Sequence, residues 1–374
     1  GCTHTRRRSG VSGVNIGQRR LHNQRITAPI DGGPADVVAW LGAVQAQDYE
    51  PAKWGVGMRL KGATDAAIER AFNAGEILRT HVLRPTWHFV TPSDIRWLLA
   101  LTAPRVHGAN GPIYRRTGLD EALLQRTTTI LVQALQGGHY LTRNELRAAV
   151  IDAGIAVDDG LRMAYMVMYA ELEGVVCSGP RRGKQFTYAL LDERAPAATT
   201  LGRHEALAEL AGRFFISRGP ATVHDFSRWS GLTVKDARRG VEAVGATLRR
   251  EDVDGRTLWS PLGERPRESA APRAHLLSVY DETISGYKDR SDVISEPDAG
   301  RLQALGNALQ AVVVLDGRIV GTWRREVRKD GVAIEVKLSA RWSEADALAI
   351  EAAAQRYGEF LGLRCTVSII LEEP

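Results

Sequence analysis

The chain has 374 residues, 44% hydrophobic and 25% charged, a balance that excludes a disordered or fibrous polymer and suits two or more globular units. Its formal net charge of +5 and pI of about 9.2 fit a polyanionic partner without requiring one. No apolar run reaches the roughly 18 residues of a membrane span, and Cys2, Cys177 and Cys365 are too scattered for a disulfide framework or a CxxC metal site, so a reducing cytoplasm is expected.

Only seven of the 49 basic residues are Lys. Arg suits bidentate phosphate contact. The abundance of Ala and Gly points to a GC-rich coding sequence as the better account of that ratio.

Residues 1–14, Arg- and Ser-rich at first, read as a mobile arm with no signal-peptide apolar core behind them. Hydrophobic period and turn residues then divide the chain into four blocks. In the first, 15–110, Pro34 opens a helix carrying Val37, Val38, Leu41 and Val44, and Thr64 caps a second carrying Ile68 and Phe72. Two short strands are predicted within Leu78–Val90, and another helix from Asp94 through Leu101. In the second block, 111–200, an amphipathic helix over Leu119–Leu135 precedes one capped by Thr142 with Glu145 as its capping-box partner. A third helix follows Asp158 or Asp159, and strands at Val175–Cys177 and Phe186–Leu190 close the block as a hairpin. Three helices and a hairpin is the winged-helix plan. The third block, 201–262, repeats it, with Thr222 and Thr233 as caps and a turn at Asp254-Gly255.

Residues 263–272 form a polar linker. The last block, 275–374, predicts strands at His275–Val279, Ala311–Leu315, Arg318–Trp323 and Val332–Leu338, then a helix over Ser343–Phe360 and a strand over Arg364–Leu371. Asp316-Gly317 is a strong hairpin turn. The expected fold class is α+β, with these strands curled into a small barrel.

The tip of the second block's hairpin carries Arg181, Arg182 and Lys184, which can sit against phosphates or enter a minor groove. A solvated hairpin tip would carry charge anyway. Gly55-Val56-Gly57 lacks the surroundings of a DNA-binding helix-hairpin-helix turn. No HExxH, Walker loop, zinc-deaminase or GxSxG pattern is present, so no metal or cofactor is expected. Asp281-Glu282 and Asp289-Arg290 suit structural ion pairs better than acid–base work.

Gln45-Ala46-Gln47-Asp48 follows the first apolar helix. Periodicity alone would make both glutamines surface residues. On a helix, residues two apart face different sides, whereas in an extended segment they share one. If both amides act on one atom, the helix ends near Val44. Pro51 supports that by disfavouring helical geometry at Glu50.

These residues, with Lys53-Trp54 and Gly57-Met58-Arg59, resemble the QxQ signature of the AlkZ-type DNA glycosylases. Arg84-Pro85-Thr86-Trp87-His88-Phe89-Val90 is similar to the family's next signature. Asp281-Glu282, Gly286-Tyr287-Lys288-Asp289-Arg290 and Val320-Gly321-Thr322-Trp323-Arg324 resemble its C-terminal ones. The related YcaQ branch has Asp at the second motif position, so Gln47 places this chain on the AlkZ side. The resemblance spans nearly everything beyond the arm. It implies three tandem winged-helix units in a concave scaffold, plus a barrel-like C-terminal domain. It also implies a monofunctional, monomeric glycosylase centred on Gln45 and Gln47 that acts on double-stranded DNA bearing bulky N7-alkylated purines. Interstrand crosslinks of the azinomycin type are included, in repair and self-resistance. Asp48 would assist electrostatically, and His88 either lines the cleft or packs in the core. The rival reading is a non-enzymatic winged-helix regulator, which basic residues and a wing suit equally well.

Overall fold

A computed structural model describes residues 16–158, 160–263, 272–294 and 311–371. The expected N-terminal arm and most of the 263–272 linker lie outside the described residues.

The chain enters through α1 (Ile16–Asn23) and α2 (Pro34–Leu41). Pro34 takes the first helical position, where its missing N–H costs nothing, and Gly42 at φ 76° ends the helix. Next come β1 (Val44–Gln45), α3 (Tyr49–Gly57), α4 (Asp65–Ala74), β2 (Leu78–His81) and β3 (Trp87–Val90). The three strands form an antiparallel sheet in the order β1-β3-β2. Thr64 caps α4 through the Ala67 N–H, as its position predicts.

Helix α5 (Ile95–Arg116) runs 22 residues through Pro104 and Pro112. The expected boundary between residues 110 and 111 falls inside it. Each proline removes a helical hydrogen bond, but burial of Leu98, Leu101, Ala103 and Val106 carries the helix past them.

The next stretch holds α6 (Glu121–Leu135), β4 (Leu141–Thr142), α7 (Arg143–Asp152), α8 (Gly160–Leu172), β5 (Val176–Ser178), β6 (Thr187–Leu190) and the single turn α9 (Leu191–Arg194). Its sheet order is β4-β6-β5, and the predicted Thr142–Glu145 capping box is formed. Leu131, Leu146, Val150, Met166 and Val176 fill a core of its own.

Then follow α10 (Arg203–Arg218), α11 (Val223–Ser230), α12 (Val234–Val244), β7 (Leu248–Val253) and β8 (Arg256–Pro261). Thr222 and Thr233 cap α11 and α12. Asp254 (φ 49°) and Gly255 (φ 74°) both take the left-handed conformation that a tight hairpin between β7 and β8 demands.

The C-terminal part contains β9 (Ala274–Leu277), α13 (Glu282–Ser285), β10 (Val312–Leu315), β11 (Arg318–Val327), β12 (Gly331–Leu338), α14 (Glu344–Leu361) and β13 (Arg364–Leu371). The sheet order is β13-β12-β11-β10-β9, antiparallel except for β12 with β13, which α14 connects. The expectation of a small barrel is corrected here. Closure needs the outer strands to hydrogen-bond to each other, but β13 and β9 lie at opposite edges of an open sheet. Instead α14 covers the apolar face with Ile350, Ala353, Ala354, Tyr357 and Phe360.

The class is thus mixed α+β. The first stretch is held from two sides. Trp54 of α3 packs edge-on against Tyr357 at 5.0 Å and contacts Phe360 at 5.1 Å. On the other side, α5 shares a core with α10 and α11 built around Phe214, Phe226 and Trp229.

Candidate active site

Helix α2 ends four residues before Gln45, so the QxQ segment leaves the helix as an extended strand. The chain bends at Gln47 and enters α3 at Tyr49. One expectation is corrected: Pro51 does not exclude Glu50 from a helix, because both lie in the first turn of α3, where N–H groups have no partner to lose.

The backbone of this segment is fixed at four places. The Gln45 N–H donates to Glu282 Oε1 at 2.7 Å, and the Ala46 N–H donates to the Trp87 carbonyl at 2.7 Å. Arg79 of β2 donates to the carbonyls of Ala46 (2.9 Å) and Gln47 (3.3 Å). Arg79 is buried with its guanidinium 4.2 Å over the Trp87 ring, and burial pulls its pKa down to about 10.

Both amide side chains turn to one short segment. Arg84 Nη2 donates to Gln45 Oε1 at 3.2 Å, and the Trp87 backbone N–H donates to Gln47 Oε1 at 3.2 Å. Neither donor can accept, so these contacts fix which end of each amide is oxygen. Each carbonyl oxygen keeps one lone pair. Gln45 is 9% exposed, whereas Gln47 and Asp48 are exposed. The Asp48 carboxylate has no hydrogen-bond or ion-pair partner among the described residues, and it does not cap α3.

His88 stands opposite Gln45 on β3, with Thr80 on its other side. Of the two readings open to His88, the cleft-lining one is corrected: the ring is fully buried. Its Nδ1 donates to the Thr86 carbonyl at 2.9 Å, leaving Nε2 as a buried lone pair without a partner. Burial first, and then the Arg84 charge, hold its pKa well below the ordinary value, so the ring is neutral.

The Asp281-Glu282 pair forms ion pairs, the role favoured for it. Arg59 forks onto both Asp281 oxygens at 2.9 Å, and Arg218 meets Glu282 Oε2 at 2.7 Å. Burial would raise the Asp281 pKa, but the Arg59 charge and the hydrogen bonds from Arg59 and Thr283 outweigh it and hold it low. Glu282 Oε2 also accepts from Trp229 Nε1 at 2.9 Å.

The three hairpin-tip cations are not equivalent. Arg181 folds back against Tyr49 and Phe186, 4.8 and 5.0 Å from their rings, and pairs with Glu50 and Glu69. Arg182 is exposed but paired with Glu145 at 2.7 Å. Lys184 is exposed, and its ammonium has no partner among the described residues. Among those residues, too, no helix is long and apolar enough to cross a membrane, and no group of three or more His, Cys, Asp or Glu side chains is placed to hold a metal ion.

Sequence reasoning gave no role to Arg84, Arg79, Arg218 or Glu282 in holding the glutamines. The available signal was charge inside apolar stretches, as at Arg79 after Leu78 and Arg218 after Phe214-Phe215-Ile216.

A family model described as DNA glycosylase AlkZ-like matches residues 38–360. The chain belongs to the AlkZ-like DNA glycosylase family. It is therefore an enzyme of the hydrolase class that acts on DNA, and nothing favours the regulator reading. The interstrand DNA cross-link repair glycosylase of Streptomyces sahachiroi is 26% identical over 318 residues, covering 81% of this chain and 85% of that protein. The structure of the Streptomyces sahachiroi DNA glycosylase AlkZ superposes with a TM-score of 0.80 at 23% identity, over 95% of this chain and 98% of that one. At that identity the superposition speaks for the shared fold.

Proposed function

We propose that this AlkZ-like glycosylase hydrolyses the N-glycosidic bond of bulky N7-alkylated purines in double-stranded DNA, with Gln45 and Gln47 as its catalytic pair. The observation that carries the reading is that both amide oxygens are oriented by donors from one segment, Arg84–Trp87, beside an exposed strand-to-helix turn.

An N7-alkylated purine nucleoside is already cationic, so the base departs neutral and needs no general acid. The sugar approaches an oxocarbenium ion at C1′. The free lone pairs of Gln45 Oε1 and Gln47 Oε1 would accept the two hydrogens of one water, leaving a water lone pair aimed at C1′. The same carbonyl dipoles, with Asp48 nearby, lower the energy of the developing positive charge. Glutamine is not a base near neutral pH, so the pair orients the water rather than deprotonating it, and the added water loses its proton to bulk solvent once the C1′–O bond has formed.

The exposure of Gln47 and Asp48 supports an open approach rather than an aromatic cage, as a base still tethered to the opposite strand requires. We extend the substrate to interstrand crosslinks, such as those of azinomycin-type agents, in repair and self-resistance. The name of the Streptomyces relative supports interstrand crosslink repair. The blocks at 15–110, 111–200 and 201–262, the first two meeting within α5, are proposed as winged-helix units of a concave DNA-binding scaffold, joined to the 275–374 domain in a monomer. Lys184 and Arg182 would touch phosphates, and Arg181 would hold the hairpin.

The test is direct. Duplex DNA carrying N7-methylguanine, and a duplex crosslinked through guanine N7 atoms, are incubated with the protein. The proposal expects free base, abasic sites and separated strands. Intact DNA in both reactions would overturn it.

A further inference from the structure

We propose that Arg84 is a positioning residue that holds the Gln45 amide in its reactive orientation. This rests on the assignment of Gln45 above.

Arg84 lies in the loop between β2 and β3, and that loop is tightly constrained. Leu83 adopts φ 63°, a left-handed conformation that a leucine side chain rarely tolerates, while 1% exposed. Its N–H donates to Thr102 Oγ1 at 3.1 Å. Its carbonyl meets Gly231 at the end of α11 so closely that a Cβ there would lie 2.2 Å from the oxygen. Two further turns, Arg84 N–H to Val82 O and Thr86 N–H to Arg84 O, both at 2.7 Å, complete the loop.

This loop delivers a guanidinium to one acceptor. Among the described residues, the Arg84 side chain makes a single hydrogen bond, and it goes to Gln45 Oε1. Its Nε is buried without a partner. Arginine carries five donors, and buried ones are ordinarily satisfied. A side chain placed for stability alone would use more of them. What the placement achieves is directional. The two ends of a glutamine amide have nearly the same shape, and a donor-only group beside Oε1 excludes the flipped amide. A flip would aim Nε2 where an acceptor for the water is needed.

The test is a double-mutant cycle in the full-length protein. Single-turnover release of N7-methylguanine and duplex affinity are measured for wild type, Arg84→Met, Gln45→Ala and the double variant. Arg84→Met should slow release about ten- to a hundredfold while affinity changes less than about threefold. In the Gln45→Ala background it should cause no further slowing, because a group acting through Gln45 has nothing left to act on. Arg84→Lys keeps the charge but loses the fixed fork. It is read the same way should Arg84→Met fail to fold. Loss of affinity matching the loss of rate, or an undiminished penalty in the Gln45→Ala background, overturns the proposal. If Gln45→Ala is slow and Arg84→Met is fast, only the positioning role falls. If Gln45→Ala releases base at the wild-type rate, the assignment of Gln45 falls and takes this one with it.

Discussion

The backbone N–H of Gln45 is held by the carboxylate of Glu282, 237 residues further along the chain, at 2.7 Å. Glu282 is fully buried and also collects Arg218 and Trp229, so one carboxylate joins the QxQ strand to α10, α11 and the C-terminal part. Glu282→Ala would strand the Arg218 charge and two N–H donors in the interior. Breaking such a pair costs about 3–5 kcal/mol. Urea unfolding should show a loss of that size, and any folded protein that remains should be slower at base release.

A different contact governs the Arg84 loop. Gly231 has φ 70°, and Leu83 O occupies the space a side chain would need. Gly231→Ala should cost about 1–3 kcal/mol, from the positive φ together with the clash. It should also slow excision by shifting the loop. A variant with wild-type stability and rate would show that Leu83 and Arg84 need not sit where they do.

Buried His88 makes stability depend on pH in a stated direction. Its folded pKa lies well below the unfolded value of 6.5. Below pH 6.5 the unfolded chain therefore binds the proton that the folded chain refuses, and stability falls as pH falls. Above pH 6.5 the contribution is complete. His275, pushed down to about 3 chiefly by burial, acts in the same sense. Urea unfolding between pH 8 and 5 should show a decline, and His88→Gln should reduce its slope. Equal slopes would mean that His88 is protonated in the folded protein.

The hairpin cations should separate by experiment. Lys184→Ala should weaken duplex binding and reduce the slope of log K against log salt by about 0.9, the value for one phosphate contact. Arg181→Ala should instead cost about 1–2 kcal/mol of stability through its lost contacts with Tyr49 and Phe186. An unchanged salt slope for Lys184→Ala would remove it from the DNA interface.

Local physics was legible in the sequence. Capping by Thr64, Thr142, Thr222 and Thr233 and the left-handed turn at Asp316-Gly317 follow from neighbouring residues, whereas the first helix, expected to carry Val44, ends at Leu41 and leaves Val44 to β1. Long-range closure was not. Alternating apolar residues on β12 say that one face is buried, but not whether a partner strand or a helix buries it; α14 does so here. Nor does a local pattern show that Arg218 and Glu282 meet, or that α5 continues through two prolines. The glutamines were visible as a pair, but their orientation depends on Arg84 and Trp87, about 40 residues away.

The proposed catalysis rests on the two amides. Gln45→Ala and Gln47→Ala should each slow single-turnover release of N7-methylguanine by about a hundredfold or more, following the loss of one transition-state contact, with duplex affinity nearly unchanged. Release at the wild-type rate, or a fall in affinity as large as the fall in rate, would contradict it.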